Sequence, residues 1–139
     1  MSSTTDTGKQ QQATLSWAED ESVPVHSVQE LDERLDELDR RARDDLPLVA
    51  GIERADGKAL SIGLGRDRSV LNYMSSLDPP YFTSHDENAD EGGTIVFYYY
   101  GHESEFPADA AVPMEDAREA VRRFFETGER PENLDWRMD

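Results

Sequence analysis

Few side chains in this sequence are of a type that does chemistry, and their spacing limits what they can do. Histidine occurs at His26, His85 and His102. His85-Asp86 and His102-Glu103 are chain neighbours, and on an extended strand neighbours point to opposite faces, so neither pair can close on one metal ion. The chain has no cysteine, which removes thiolate metal sites, disulfides and cysteine redox chemistry. No serine stands in a Gly-x-Ser-x-Gly elbow, so no nucleophile is marked. Glu103 and Glu105 share a face if their segment is a strand, and glycoside hydrolysis uses such a carboxylate pair. A small hydrolase is therefore one reading. The fragment "GLGRD", from Gly63, looks like part of a phosphate-binding loop but lacks the third glycine, the following helix and the lysine. A bulge or a close backbone approach explains its glycines better. Nothing in the sequence calls for a metal or a cofactor, and no catalytic residue is assigned.

Charge is the strongest global signal. Fourteen Lys and Arg stand against 31 Asp and Glu in 139 residues, a formal net charge of −17. Such a field repels DNA, RNA and anionic lipid and favours a basic protein partner. Acidity also keeps small proteins soluble or suits them to salty cytoplasm, so a salt-adapted domain stays open. The distribution separates these readings. From Ser69 to Ala117 there is no lysine or arginine, while Asp78, Asp86, Glu87, Asp90, Glu91, Glu103, Glu105, Asp109, Glu115 and Asp116 all fall inside. Solubility alone would intersperse the signs, whereas a one-sign patch beside aromatics speeds capture of a cationic partner.

These residues need elements to hold them. The length and the 36% hydrophobic content suit one domain with one core. Residues 1–12, "MSSTTDTGKQQQ", are too polar to offset chain entropy and are expected to be a disordered lead, with residues 13–139 forming the domain. The chain has no basic, apolar leader and no apolar run of bilayer length, which implies a soluble, cytoplasmic protein. "ATLSWAE" predicts a first strand. Ser27 and Glu30 stand at capping-box spacing and open a helix with Leu31, Leu35, Leu38 and Ala42 on one face. Its acids Glu30, Asp36, Glu37 and Asp39 each precede an arginine by four residues, which predicts a solvated face. "PLVAGIER" and "ALSIGLGRD" predict a hairpin about Asp56-Gly57, and "SVLNYMSS" a further strand. A long polar connection from Asp78 to Gly93 precedes "TIVFYYYG", whose two apolar faces predict a strand central in its sheet, with one or two of its tyrosines in the core. "MEDAREAVRRFFETG" predicts a second helix with Ala117, Ala120, Val121 and Phe124 inward and Gly128 as its stop. In the tail, Trp136 should dock back. The fold class expected is α+β, one mostly antiparallel sheet of about five to six strands with one N-terminal and one C-terminal helix.

The segments "SIGLGRDRSVLNYM", "GGTIVFYYYGHESEFP" and "VPMEDAREAVRRFFETGERPENLDW", in that order, resemble the Imm-one immunity-protein family of bacterial polymorphic toxin systems over roughly Leu46 to Trp136. The resemblance implies a small α+β protein encoded beside a toxin, often a nucleic-acid deaminase, that binds and blocks it. It transfers no catalytic residue. Gly63, Gly65, Leu71, Gly93, Pro113, Ala117 and Phe124 are family-like positions that look structural, and the resemblance does not locate the interface. Physical reasoning supplies one. A toxin acting on DNA or RNA needs a positive substrate groove, which an acidic plug can occupy in place of phosphates. The expected plug is Asp86, Glu87, Asp90 and Glu91 from the polar connection with His102, Glu103 and Glu105, and Tyr98 and Tyr100 add an aromatic anchor. The partner expected is a basic deaminase or nuclease toxin in a 1:1 heterodimer, with no direct contact to nucleic acid or membrane.

Overall fold

The computed structural model describes residues 13–76, 78–89 and 92–139. The expected lead at 1–12 lies outside them, as do Asp90 and Glu91. In chain order come β1 (Ala13–Ala18), β2 (Glu21–Val25), helix α1 (Val28–Asp44), β3 (Leu48–Arg54), β4 (Ala59–Leu64), β5 (Arg68–Ser69), β6 (Leu71–Met74), β7 (Tyr81–His85), β8 (Thr94–Tyr99), β9 (His102–Pro107), a 3-10 turn (Ala108–Ala110), β10 (Val112–Pro113), helix α2 (Met114–Thr127) and β11 (Asp135–Met138). Among the described residues no helix is long and apolar enough to cross a membrane.

The class is α+β with two main helices, as expected, but the main sheet has nine strands instead of five to six. Seven of them run β11-β7-β6-β4-β3-β1-β2, each antiparallel to its neighbour. β5 and β10 form a separate two-stranded ribbon. The strands that the sequence concealed are short or at the edges: "ESVPV", "YFTSH", "HESEFP" and "DWRM" carry polar residues and prolines because at least one side meets solvent.

Helix α1 begins as its sequence dictates. The Ser27 hydroxyl accepts the Glu30 N–H at 3.1 Å. The Glu30 carboxylate reaches back one residue further than a standard capping box, to the N–H of His26 at 2.7 Å. That bond holds the Glu30 carboxyl below its usual pKa. Leu31, Leu35, Leu38 and Ala42 are buried. The acidic face is less solvated than the spacing implies. Asp32 meets Arg118 and Arg122 of α2, and Asp36 lies 2.9 Å from Arg118. Of the four expected pairs, Asp39–Arg43 closes, at 3.0 Å. Helix α2 buries Ala117, Ala120, Val121, Phe124 and Phe125 and stops at Gly128, whose N–H reaches the Phe124 carbonyl. The Arg54 guanidinium donates to the carbonyls of Phe124 and Phe125, satisfying acceptors that a helix end leaves bare.

Both helices pack against one sheet face, through Leu15, Ala50, Ile52, Leu60, Ile62, Leu64, Leu71 and Tyr73. Trp136 docks as expected, its ring 6.4 Å from that of Tyr73 and its indole N–H on the Pro131 carbonyl. The opposite face carries the alternate residues, and part of it is covered by the β8–β9 hairpin. Here the expectation of a central tyrosine strand fails. β8 pairs along its length with β9 and pairs with β3 only at Leu48–Tyr98, where the Tyr98 N–H reaches the Pro47 carbonyl at 2.8 Å. One edge of β3 is taken along its length by β4 and the other by β1 from Gly51 to Arg54, which leaves β8 only the Leu48 end. The hairpin therefore packs over the face, and its aromatic content fills a second cluster of Val49, Val70, Phe97, Ala110 and Ala111 flanked by Ile95 and Phe106.

The glycines of "GLGRD" serve this packing. A β-carbon on Gly63 would lie 2.6 Å from the Phe97 ring, and the Ser69 hydroxyl bonds both the N–H and the carbonyl of Gly63. Gly65, at φ +98°, lies so close to α1 that a β-carbon would be 2.8 Å from that of Ala42. Its N–H donates to Asp39 at 2.7 Å. Replacing Gly63 by valine is expected to overpack the site and cost about 1–3 kcal/mol in urea unfolding. Amide exchange in β8 and β9 should then speed up more than in β3 and β4, and equal protection throughout would refute this account of the hairpin's docking.

Candidate functional site

The hairpin sets most of the aromatic and acidic candidates. Pairing of Tyr98 with Glu103 and of Val96 with Glu105 puts these four on its outer face, with Glu103 and Glu105 exposed. Ile95, Phe97, Ser104 and Phe106 point inward. The strand ends at Tyr99, and Tyr100 at φ 52° and Gly101 at φ 83° make a two-residue turn with both φ positive, as in a type I′ hairpin. Tyr100 thereby leaves the strand alternation and does not share a face with Tyr98. Its ring stacks on Tyr99 with centroids 4.6 Å apart and planes 6° from parallel. Tyr99 is 47% exposed and Tyr100 38%. Tyr98 is half-buried, so none of the three tyrosines is a core residue, and Phe97 takes that place.

The polar connection sits at the other end of the arm. β8 is six residues long, a span of about 20 Å at the rise of a strand, so Asp86 and Glu87 are separated from Tyr100 and His102 instead of being clustered with them. Asp86 is also bound within the fold. Its carboxylate accepts the Asn88 N–H and lies 2.6 Å from Arg68, and these bonds hold its carboxyl below the usual range. Asp109 lies 3.6 Å from Arg137, whose guanidinium also approaches His85 at 3.0 Å. Two acids of the arginine-free stretch are thus neutralised by cations from beyond it. Glu87 is exposed, and Glu105 receives a long bond from Thr94 at 3.4 Å.

One feature of the surface was not read from the sequence. The helix-free face carries a cross-strand row of small or polar residues, Ser22, Ser16, Gly51, Ser61, Asn72 and Thr83, running across six strands in register. Asn72 donates to Thr83 at 2.9 Å, and Ser61 bonds Asn72 at 3.4 Å. Where this row meets the hairpin there is a groove of about 330 Å³, lined by Val49, Gly51, Ala59, Leu60, Ser61, Asn72, Met74, Tyr99, Ser104 and Phe106. The available signal was the alternation of small residues in β4, Ala59, Ser61 and Gly63, with Gly51 in β3, which marks a face that no helix covers. Glu103 and Glu105 lie on the far side of the hairpin from this groove. Among the described residues no three His, Asp or Glu side chains are grouped to hold a metal ion.

The family model described as Immunity protein Imm1 matches residues 19–138. The chain belongs to the Imm1 immunity-protein family. The match reaches further toward the N-terminus than the resemblance over Leu46–Trp136, taking in β2 and α1. A curated relative, the double-stranded DNA deaminase immunity protein of Burkholderia cenocepacia (strain H111), is 34% identical over an alignment of 112 residues that covers 78% of this chain and 89% of the relative. Membership of Imm1 favours neither the small hydrolase nor the salt-adapted domain.

The anchoring of Asp86 has a measurable consequence. Asp86→Asn keeps the shape but removes the charge, and should destabilise this Imm1 protein by about 1 kcal/mol at neutral pH. Because the native carboxyl titrates below its unfolded value of about 3.9, the wild-type advantage is complete above that value and lost as pH falls through the native one. Thermal unfolding of the two proteins at pH 7 and pH 2.5 checks this, with the gap closing at the lower pH.

Proposed function

We propose that this Imm1 protein binds a cognate toxin one to one and neutralises it, that the toxin is a nucleic-acid deaminase, and that acidic and aromatic surface covers the toxin's substrate groove. The observation that carries the reading is the relative named as immunity to a double-stranded DNA deaminase, similar over 78% of the chain. Electrostatics supports the mode of action. A deaminase must hold the phosphates of its substrate beside the target base, so its groove is basic. This chain has a net charge of −17, and the exposed acids of the hairpin can occupy that groove without the sugar and base that chemistry requires. Glu103, Glu105, His102, Tyr98 and Tyr100 from the hairpin, with Glu87, Asp90 and Glu91 from the preceding connection, are the proposed contact residues. Asp86 holds the base of that connection in place.

Titration distinguishes an inhibitor from an enzyme. Deaminase activity of the toxin encoded beside this chain should fall linearly as the chain is added and vanish at equivalence. Protection at far lower ratios would overturn the inhibitor reading. Reversing Glu87, Glu103 and Glu105 to lysine should slow association about tenfold or more at low salt, with the difference shrinking as ionic strength rises. Stopped-flow association at two salt concentrations measures this, and an unchanged rate would remove these acids from the interface.

A further inference from the structure

We propose that the groove between the hairpin and the helix-free sheet face seats one arginine or lysine side chain of the partner toxin, with Glu53 as counter-ion and Tyr99 as aromatic wall. The inference rests on the toxin-binding reading and specifies where a central contact is made.

The groove is suited to a long side chain with a charged end. Its floor is formed where Gly51, Ala59 and Ser61 leave the sheet without bulk, and Met74 and Phe106 give it apolar sides. An alkyl stem can lie on these surfaces while its cation stays at the rim. Tyr99 lines the groove and is backed by the parallel ring of Tyr100. The pair is held flat and presents a π surface, to which a guanidinium or ammonium group is attracted. The polar floor atoms are already engaged with one another, Ser61 with Asn72 and Asn72 with Thr83. A small polar metabolite would therefore find few free groups to orient it.

Glu53 decides the sign of the guest's charge. It follows Gly51 by two residues on the same face of β3 and pairs with Ala59, which lines the groove. It is exposed, and among the described residues its carboxylate has no hydrogen bond or ion pair. The cations nearest in the chain are held elsewhere. Arg54 bonds Asp56 and the last carbonyls of α2, and Lys58 lies 3.3 Å from Glu129. Among the described residues no lysine or arginine lines the groove. Among the described residues an unpaired carboxylate thus stands beside Ala59, next to a slot with apolar sides and an aromatic wall, and a basic side chain satisfies all three elements at once. An apolar guest would leave the carboxylate unmatched, and an acidic guest would be repelled.

The test uses the full chain and a catalytically inactive form of the toxin encoded beside it, with dissociation followed by surface plasmon resonance. Glu53→Gln should weaken binding about tenfold, mainly through faster dissociation. Ser61→Trp should fill the groove and weaken binding by about a hundredfold or more. Glu53→Arg should abolish tight binding, and one Arg→Glu or Lys→Glu change on the toxin should restore it. If Ser61→Trp fails to fold, as judged by its melting curve, the two changes at the exposed Glu53 carry the test. Wild-type binding that stays within about twofold in the Glu53 variants overturns the groove assignment and leaves the toxin-binding reading intact. Wild-type chain that does not bind the toxin at all overturns both. Loss of binding in Glu53→Arg that no single toxin reversal restores rejects the basic guest.

Discussion

The packing of Phe97 onto Gly63 is the contact on which the arrangement of this surface depends. The sheet has one face covered by two helices and another with no helix to bury it. Two short strands and their turn supply the cover, and they can approach only because one position of β4 has no side chain. Phe97 is fully buried there, and Val49, Val70, Ala110 and Ala111 close around it. Burial of an aromatic of this size contributes about 2–3 kcal/mol, a large share of the stability of a small domain. The hairpin also fixes what stays open. It covers one end of the face and stops short of the rest, and the groove lies at that boundary.

Much of the negative charge is not available to a partner. Asp32, Asp36 and Asp39 bind α1 to α2, to its own last turn and to Gly65, while Asp86 and Asp109 meet Arg68 and Arg137. Acids in these positions stabilise the fold by neutralising arginines that would otherwise stand near helix ends and loops. Among the acids outside those pairs, Glu103 and Glu105 lie exposed on the hairpin and Glu53 on β3 beside Ala59. An immunity protein has to associate quickly and stay bound. In protein association generally, exposed charge serves the first need through long-range attraction, and buried aromatic and apolar surface serves the second through desolvated contact.

Membership of Imm1 implies a protein partner, and the net charge of −17 is a separate argument for a cationic one. The family match says nothing about which surface is used. The two sides of the molecule differ: one bears the hairpin and the groove, and the other is covered by helices whose exposed faces carry acid and arginine intermixed.

The helices were legible from residues alone. Ser27, the leucines at 31, 35 and 38, and the stop at Gly128 encode their own boundaries, because capping and helical periodicity are local. The Asp56-Gly57 hairpin was legible for the same reason, and the order of three segments was enough to suggest the family. The place of "TIVFYYYG" was not. Its two apolar faces are equally consistent with a central strand and with an arm folded over a sheet, and only the pairing of β3 with β4 and with β1 decides between them. Tyr98 and Tyr100 seemed to share a face until the turn began one residue early, and Asp86 looked free until Arg68, eighteen residues away, closed on it. The groove is the clearest case: Gly51, Ser61 and Asn72 are unremarkable in sequence and become a surface only when antiparallel register aligns them. Sequence determines what neighbours a few residues apart can do, whereas pairing and packing between distant segments decide which charges are free and which faces are open.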